Sequence, residues 1–335
     1  MISTLKKVKN VGRGAHRAFE LLAGATPNDI VWRTGPMRLR YYKPNPEVER
    51  AETPVVLITP IINRFRLVDL DEESSVVGYL TEHGVPVYLV DWGDPIRLDN
   101  RMGFEDYVLR ILPEVVARTG HEQVDVLGYC LGGTISVMFA ARHPELVRRL
   151  ITIVTPVDFE PMELMRKWVD RETFPVERLT EAFGNMPGHL VSQGFDWLRP
   201  IVSLKKYPKI WEQFHKDEFV DSYVVLESWN KDGVDVPGAA YRRLIRDLYC
   251  DNTLIRGRFH LRERVLDLAD ITMPTLAIAG SKDHICKPDA ARALIDAVSA
   301  EKKDYREVPG GHITSIIGGR ARKTVYPMIL DWLQS

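Results

Sequence analysis

The chain has 335 residues, of which 45% are hydrophobic and 27% charged, as is usual for a soluble globular protein. Its 45 basic and 46 acidic residues give a formal net charge of −1, which gives no reason to expect nucleic acid or an anionic membrane as a partner. Three cysteines are too few for a disulfide framework and fit a reducing compartment. The N-terminus lacks the continuous apolar core of a secretory signal, and no apolar run approaches the ~20 residues of a membrane helix. We therefore expect a cytoplasmic protein.

Short β-rich runs alternate with longer amphipathic segments along most of the chain. Strands are predicted at 54–60, 85–92, 124–129, 150–156, 275–280 and 304–309. Most of these runs are nearly continuously apolar, as in parallel strands that are covered on both faces. Helices are predicted at 72–84, 104–119, 131–143, 289–298 and 322–334, the last kinked or broken near Pro327. The alternation predicts an α/β fold, with a mostly parallel central sheet flanked by helices.

The strand signal disappears between residues 159 and 254. Helical patterns occupy 162–170, 176–183, 209–229 and 239–249, with Pro- and Gly-containing turns between them. We interpret 159–254 as a helical cap inserted into a catalytic core formed by 1–158 and 255–335. The aromatic residues of the cap either line a ligand cleft or pack the cap onto the core, and the sequence does not distinguish these interpretations.

The segment GYCLGG, residues 128–133, places a cysteine between an apolar strand and a helical pattern. This is the context of a nucleophile elbow, the sharp turn that presents a catalytic side chain in α/β hydrolases. Gly128 and Gly132 supply residues without a Cβ on either side of Cys130, as a strained turn requires. The helix N-terminus would offer the N–H of Leu131 to a developing oxyanion. The alternative is a small buried cysteine at a strand end, but the glycine spacing and the strand-turn-helix context favour a nucleophile.

A thiol nucleophile needs a base, and the base needs an acid to orient it. Asp283 follows the predicted strand 275–280, and His312 follows the predicted strand 304–309. The order cysteine, aspartate, histidine and the positions of all three on loops after strands match the α/β-hydrolase arrangement. The second oxyanion donor is expected in the loop after the first core strand, at Ile62 or Asn63.

Other polar residues carry weaker signals. His284 and Cys286 are too sparse to indicate a metal site, so no metal is expected. We assign His284 to packing or to a supporting contact, and Cys250 and Cys286 to structural positions. Asp91 follows another strand, where it is either a cleft residue or a turn former.

Taken together, these motifs resemble the polyhydroxyalkanoate synthase family. The likeness runs from about Thr26 to the C-terminus and includes TPIINRFRLVDL, VYLVDWGDP, GYCLGG, TIVTPVDF and AGSKDHICKPDAARAL. The resemblance implies that Cys130, Asp283 and His312 are catalytic. It also implies an α/β-hydrolase fold.

The resemblance further implies an acyltransferase that polymerises (R)-3-hydroxyacyl-CoA onto a growing polyester chain, with CoA as the leaving group and no cofactor. The length is similar to that of the short catalytic subunits, which act with a second, smaller subunit. By analogy with the family, we also expect a homodimer and association with polymer granules in the cytoplasm. No nucleic acid is expected as a partner.

Two other functions fit parts of the sequence. A cysteine-dependent α/β hydrolase, such as an acyl-CoA thioesterase or a depolymerase-like esterase, would use the same three residues with water as the acceptor. A scaffold at the granule surface would need no elbow, so GYCLGG argues against it. The sequence does not reveal whether water reaches the cleft.

Overall fold

The computed structural model describes residues 24–197, 215 and 233–335. The strands are β1 (Asp29–Thr34), β2 (Met37–Tyr42), β3 (Val55–Ile58), β4 (Val87–Asp91), β5 (Val124–Tyr129), β6 (Val147–Ile153), β7 (His260–Leu261), β8 (Arg264–Val265), β9 (Thr275–Gly280) and β10 (Lys303–Val308). The helices are α1 (Val76–Glu82), α2 (Leu112–Thr119), α3 (Leu131–Arg142), α4 (Glu163–Trp168), α5 (Val176–Phe183), α6 (Gly188–Trp197), α7 (Gly238–Arg243), α8 (Pro288–Ala297) and α9 (Gly319–Gln334).

Eight of these strands form one sheet in the order β1-β2-β4-β3-β5-β6-β9-β10. The pairs β1–β2 and β2–β4 are antiparallel, and every other pair in the sheet is parallel. Every side chain of β3, β5 and β9 is buried, because helices cover both faces of the sheet. The predicted α/β fold with a mostly parallel sheet is confirmed, and β5, which leads to Cys130, lies at its centre.

The six predicted strands are all present, whereas the hairpin β1–β2 at one edge of the sheet was not predicted. Its first strand, DIVWRT, is mostly exposed, and its second mixes buried and half-buried positions, so neither is a continuous apolar run. Gly35 forms the turn between them with φ 54°, a conformation that glycine adopts without strain. An edge strand with solvent on one side gives a weaker hydrophobic signal than a central strand.

The predicted core helices are also present, with two differences. The segment Asp106–Ile111 is a π-helical stretch that continues into α2. Helix α9 runs through Pro327 without a break, so of the two predicted alternatives the break is wrong, whereas the kink stays a prediction. Buried side chains on both sides of the proline, including Tyr326 and Ile329, hold the helix against the core and offset the lost backbone hydrogen bond.

The cap segment is helical in its described parts. Helices α4, α5 and α7 match predicted helices, α7 continues as a π-helix over Leu244–Cys250, and α6 was not predicted. The predicted helix at 209–229 lies outside the described residues. Asn252 joins the two ends of the segment: its Oδ1 accepts from Phe159 N at 2.9 Å, and its Nδ2 donates to Asp158 Oδ1 at 2.7 Å. The division into core and cap stays a prediction.

Within the part of the chain that the structure describes, none of the helices combines the length and apolar character needed to cross a bilayer.

Candidate active site

Cys130 occupies the turn between β5 and α3. Its backbone has φ 53° and ψ −126°, a region that non-glycine residues rarely adopt. The Cys130 N–H donates to Ile153 O at 3.0 Å, and the Cys130 carbonyl accepts from Thr134 N at 3.2 Å. These bonds hold the strained residue between the neighbouring strand β6 and the first turn of α3. Strain of this kind is found mainly at functional sites, where the surrounding structure enforces it.

The glycines of the elbow are required by close contacts. A Cβ added to Gly132 would overlap with the carbonyl of Ile58, and one added to Gly128 would overlap with Ser136 Oγ. Gly133 is equally restricted, because its Cβ would overlap with Thr155 Oγ1. The elbow pattern in the sequence indicates the first two glycines but not Gly133, whose partner Thr155 follows a different strand.

We expect Gly133→Ala to destabilise the protein by about 1–3 kcal/mol, because the added methyl group overlaps with a buried threonine. In an open helical site the same change would stabilise by about 1 kcal/mol through helix propensity. Gly194 in α6 is the matched control, since no atom of the described residues lies within 4 Å of a Cβ built there. Urea unfolding checks both variants. Equal midpoints for Gly133→Ala and Gly194→Ala would contradict the packing argument.

Asp283 and His312 lie together after neighbouring strands β9 and β10. The Asp283 Oδ2 is 2.7 Å from His312 Nδ1, and both side chains are almost completely buried. The other carboxylate oxygen of Asp283 accepts from the N–H groups of Ile285 at 2.8 Å and Cys286 at 2.9 Å. Both oxygens of the carboxylate are therefore occupied, which fixes its orientation towards the imidazole ring.

The protonation of His312 depends on its two charged neighbours. Burial by itself lowers the pKa of the ring, but the negative charges of Asp283 and Cys130, with hydrogen bonds to both, raise it to about 10. The protonated ring is thus stabilised when the Cys130 sulfur is ionised. Tyr129 supports the histidine loop: its hydroxyl donates to His312 O at 3.4 Å, and the two ring centroids are 5.6 Å apart.

The Cys130 side chain opens into a cavity of about 530 Å³ between the sheet and the cap segment. From the core, the wall includes Ile62, Cys130, Leu131, Ile285, Cys286 and His312. From the cap segment, it includes Phe159, Met162, Met165, Phe174, Leu190, Tyr241 and Tyr249. Some cap aromatics therefore line a cavity, the first of the two interpretations left open by the sequence. Such an apolar wall suits an acyl chain.

Ile62 and Asn63, the two loop residues predicted to supply the second oxyanion donor, differ in their surroundings. Leu131 is the first residue of α3, where backbone N–H groups have no intrahelical acceptor. Ile62 lines the cavity beside Leu131. The Asn63 N–H instead donates to Pro60 O at 3.5 Å, and Asn63 forms a bridge with Gly233. Of the two loop residues, Ile62 is therefore the one that lines the cavity, and the donor role of both stays a prediction.

The remaining candidates lie elsewhere. Asp91 is buried and binds Arg40 Nη2 at 2.8 Å, so its carboxylate fastens strand β2 to β4. His284 is exposed. Cys286 is buried beside the cavity, and burial, followed by the charge of Asp283, raises the pKa of its thiol well above the ordinary value. In the described residues, no group of three or more histidine, cysteine, aspartate or glutamate side chains could hold a metal ion.

Comparisons with known proteins concern the fold and the family of this chain. A family model for the alpha/beta hydrolase fold matches residues 80–318, and a model for the poly-beta-hydroxybutyrate polymerase (PhaC) N-terminus matches residues 9–80. A solved structure of an alpha/beta fold family hydrolase from Bacillus anthracis has a TM-score of 0.55 at 12% identity, covering 91% of this chain and 99% of that one. That likeness concerns the fold alone.

Two curated relatives are more specific. The poly(3-hydroxyalkanoate) polymerase subunit PhaC of Allochromatium vinosum is 34% identical over 97% of this chain and 94% of its own length. The subunit PhaC of Haloferax mediterranei is also 34% identical, over 95% of this chain, but the chain spans only 66% of that relative. With the elbow and the α/β-hydrolase fold in place, these matches show that the chain belongs to the poly(3-hydroxyalkanoate) polymerase PhaC family.

Proposed function

We propose that this chain is the catalytic subunit of a poly(3-hydroxyalkanoate) polymerase in which Cys130 carries the acyl group. The observation that supports this most directly is the arrangement of the Cys130 elbow and the 2.7 Å Asp283–His312 contact at one apolar cavity. The substrate is an (R)-3-hydroxyacyl-CoA, which brings its acyl group as a thioester. No cofactor takes part, and CoA is the leaving group.

In the first half-reaction, the Cys130 sulfur attacks the carbonyl carbon of the substrate thioester. His312 takes the thiol proton, and the N–H groups of Leu131 and Ile62 bind the developing oxyanion. The carbon–sulfur bond to CoA breaks, and His312 gives its proton to the departing sulfur, so that CoA leaves as the free thiol and the imidazole is neutral again. The acyl group is now a thioester of Cys130.

In the second half-reaction, the hydroxyl group at the end of a polyester chain, or of an incoming monomer, attacks this thioester. His312 removes the hydroxyl proton and returns it to the Cys130 sulfur as the new ester bond forms. A cysteine suits this sequence because transfer from CoA to Cys130 exchanges one thioester for another. A serine ester would release much of the driving force before the polymer bond forms.

Asp283 acts as the group that orients His312. Its Oδ2 binds the imidazole Nδ1, while its Oδ1 is held by two backbone N–H groups. A carboxylate with both oxygens occupied in this way is poorly placed to reach the incoming hydroxyl. This geometry favours orientation over direct deprotonation of the acceptor.

The proposed assembly is based on the names and lengths of the relatives. The curated relatives are named as subunits, and the chain covers 94% of the Allochromatium vinosum subunit. We therefore propose that a second, smaller subunit completes the active polymerase, that two copies of the chain associate as a homodimer, and that the assembly works at the surface of polymer granules in the cytoplasm.

The test is to incubate the purified chain, alone and with the small subunit, with (R)-3-hydroxybutyryl-CoA. We expect one CoA to be released for each monomer that enters insoluble polyester. Chromatography of CoA and gas chromatography of the methanolysed polymer measure the two products. Free 3-hydroxybutyrate as the only acyl product would instead identify a thioesterase. No CoA release under either condition would favour a granule scaffold.

A further inference from the structure

The cavity beside Cys130 offers few partners to a substrate hydroxyl group. Among the residues that the structure describes, its buried side chains with a hydrogen-bonding group, apart from His312, are the thiol of Cys286 and the phenols of Tyr241 and Tyr249. Trp168 in the same wall is only half-buried, and Gln193 is exposed. A thiol is a weak hydrogen-bonding group. A hydroxyl that is buried without a partner loses its hydrogen bonds to water and gains none in return. One of the two phenols is therefore the natural partner.

Tyr249 is held firmly in the wall of the cavity. It belongs to the π-helical stretch Leu244–Cys250, and its backbone carbonyl accepts from Arg166 Nε at 3.0 Å. Its ring packs edge-on against Phe159, with centroids 5.0 Å apart and an interplanar angle of 79°. The hydrogen bond from Arg166 fixes the backbone of Tyr249, and the contact with Phe159 fixes its ring. The ring, which lines the cavity, is thus held in one position.

No hydrogen bond joins the Tyr249 hydroxyl to another residue in the described parts of the chain, and its oxygen is not one of the fully buried side-chain atoms that lack a partner. Tyr129 and Tyr326, by contrast, donate to backbone carbonyls. Burial and then the charge of Cys130 raise the pKa of Tyr249, whereas burial alone raises that of Tyr241. Of the two phenols, Tyr249 is the one within electrostatic reach of the nucleophile.

We propose that the Tyr249 hydroxyl binds the 3-hydroxyl group of the acyl chain carried by Cys130. This inference rests on the proposed function and specifies which substrates the site selects. A 3-hydroxyacyl thioester gives Tyr249 its missing partner, whereas an acyl thioester without the hydroxyl leaves the phenol unpaired. The contact also fixes the rotation of the acyl chain beside the oxyanion donors.

The test compares two enzymes with two substrates that differ in one hydroxyl group. The parent chain and Tyr249→Phe, each with the small subunit, are given (R)-3-hydroxybutyryl-CoA or butyryl-CoA, and single-turnover CoA release is measured. We expect Tyr249→Phe to lower the preference for the hydroxylated substrate by about three- to tenfold, the worth of one neutral hydrogen bond. The rate with butyryl-CoA should stay within about twofold of the parent, because that substrate has no group for the phenol to bind.

Tyr241→Phe is the matched control, since it removes a hydroxyl from the same cavity wall without facing Cys130. Its substrate preference is expected to equal that of the parent. The folding of each variant is checked by its urea midpoint, which should not change because neither hydroxyl is hydrogen-bonded to another of the residues that the structure describes. An unchanged preference in Tyr249→Phe would overturn the inference while leaving the polymerase intact. Failure of the parent to release CoA from either substrate would refute the proposed function instead.

Discussion

Cys130→Ala is expected to lower the rate of CoA release from (R)-3-hydroxybutyryl-CoA by about 10⁴-fold or more, as the loss of a covalent nucleophile does in other enzymes. The variant keeps the Cβ and removes only the sulfur, so the strained turn between β5 and α3 remains. Intact-mass spectrometry of the parent protein after rapid mixing should show one acyl adduct, which maps to Cys130. The alanine variant should show none.

Cys250→Ala is the matched control for this prediction. It removes a thiol that is half-buried in the cap segment and donates to Val169 O at 3.2 Å, outside the cavity wall. Its CoA release should stay within about twofold of the parent. Cys130→Ser should retain activity between that of the alanine variant and that of the parent, because oxygen can form the acyl intermediate but depends more on the base. An acyl adduct that persists in Cys130→Ala would contradict the assignment of the nucleophile.

The central strands and the order of the candidate residues were predictable because each leaves a local signal. Strand β5 is continuously apolar and leads directly into GYCLGG, so the elbow can be read from adjacent residues. Asp283 and His312 each follow a strand, and parallel strands bring their carboxyl ends to one edge of the sheet. The sequence therefore predicts that the loops meet, although the residues are far apart along the chain.

The features that were missed depend on contacts between distant segments. Gly133 matters because of Thr155, which reaches it from the end of β6. Tyr249 matters because its ring lines the cavity, and an aromatic residue in a helical pattern gives no sign of this. The edge hairpin β1–β2 was missed because its strands are half-exposed. For Gly133 and Tyr249 the deciding contacts come from tertiary packing, whereas the hairpin was missed because of its exposure.

Asp283→Asn is expected to slow acylation by about 10²- to 10⁴-fold, because the amide removes the charge that orients and stabilises the protonated His312. The side chain keeps its shape, and its oxygen can still accept from the N–H groups of Ile285 and Cys286. The charge of Asp283 raises the pKa of His312, so its loss must lower that pKa. The alkaline limb of the acylation rate, where His312 loses its proton, should therefore move to lower pH in the variant. Single-turnover CoA release across pH 6–11 measures this shift.

The same variant separates the two roles that the sequence left open for Asp283. If Asp283 orients His312, both acylation and polymer growth slow in parallel, since both half-reactions use the histidine. If Asp283 deprotonates the incoming hydroxyl, a normal burst of CoA release is followed by little polymer. Because both carboxylate oxygens are already bonded, one to the imidazole and one to the backbone, we expect the parallel loss. A full burst with an unshifted pH profile would show that the contact with His312 is structural and that the carboxylate acts on the acceptor.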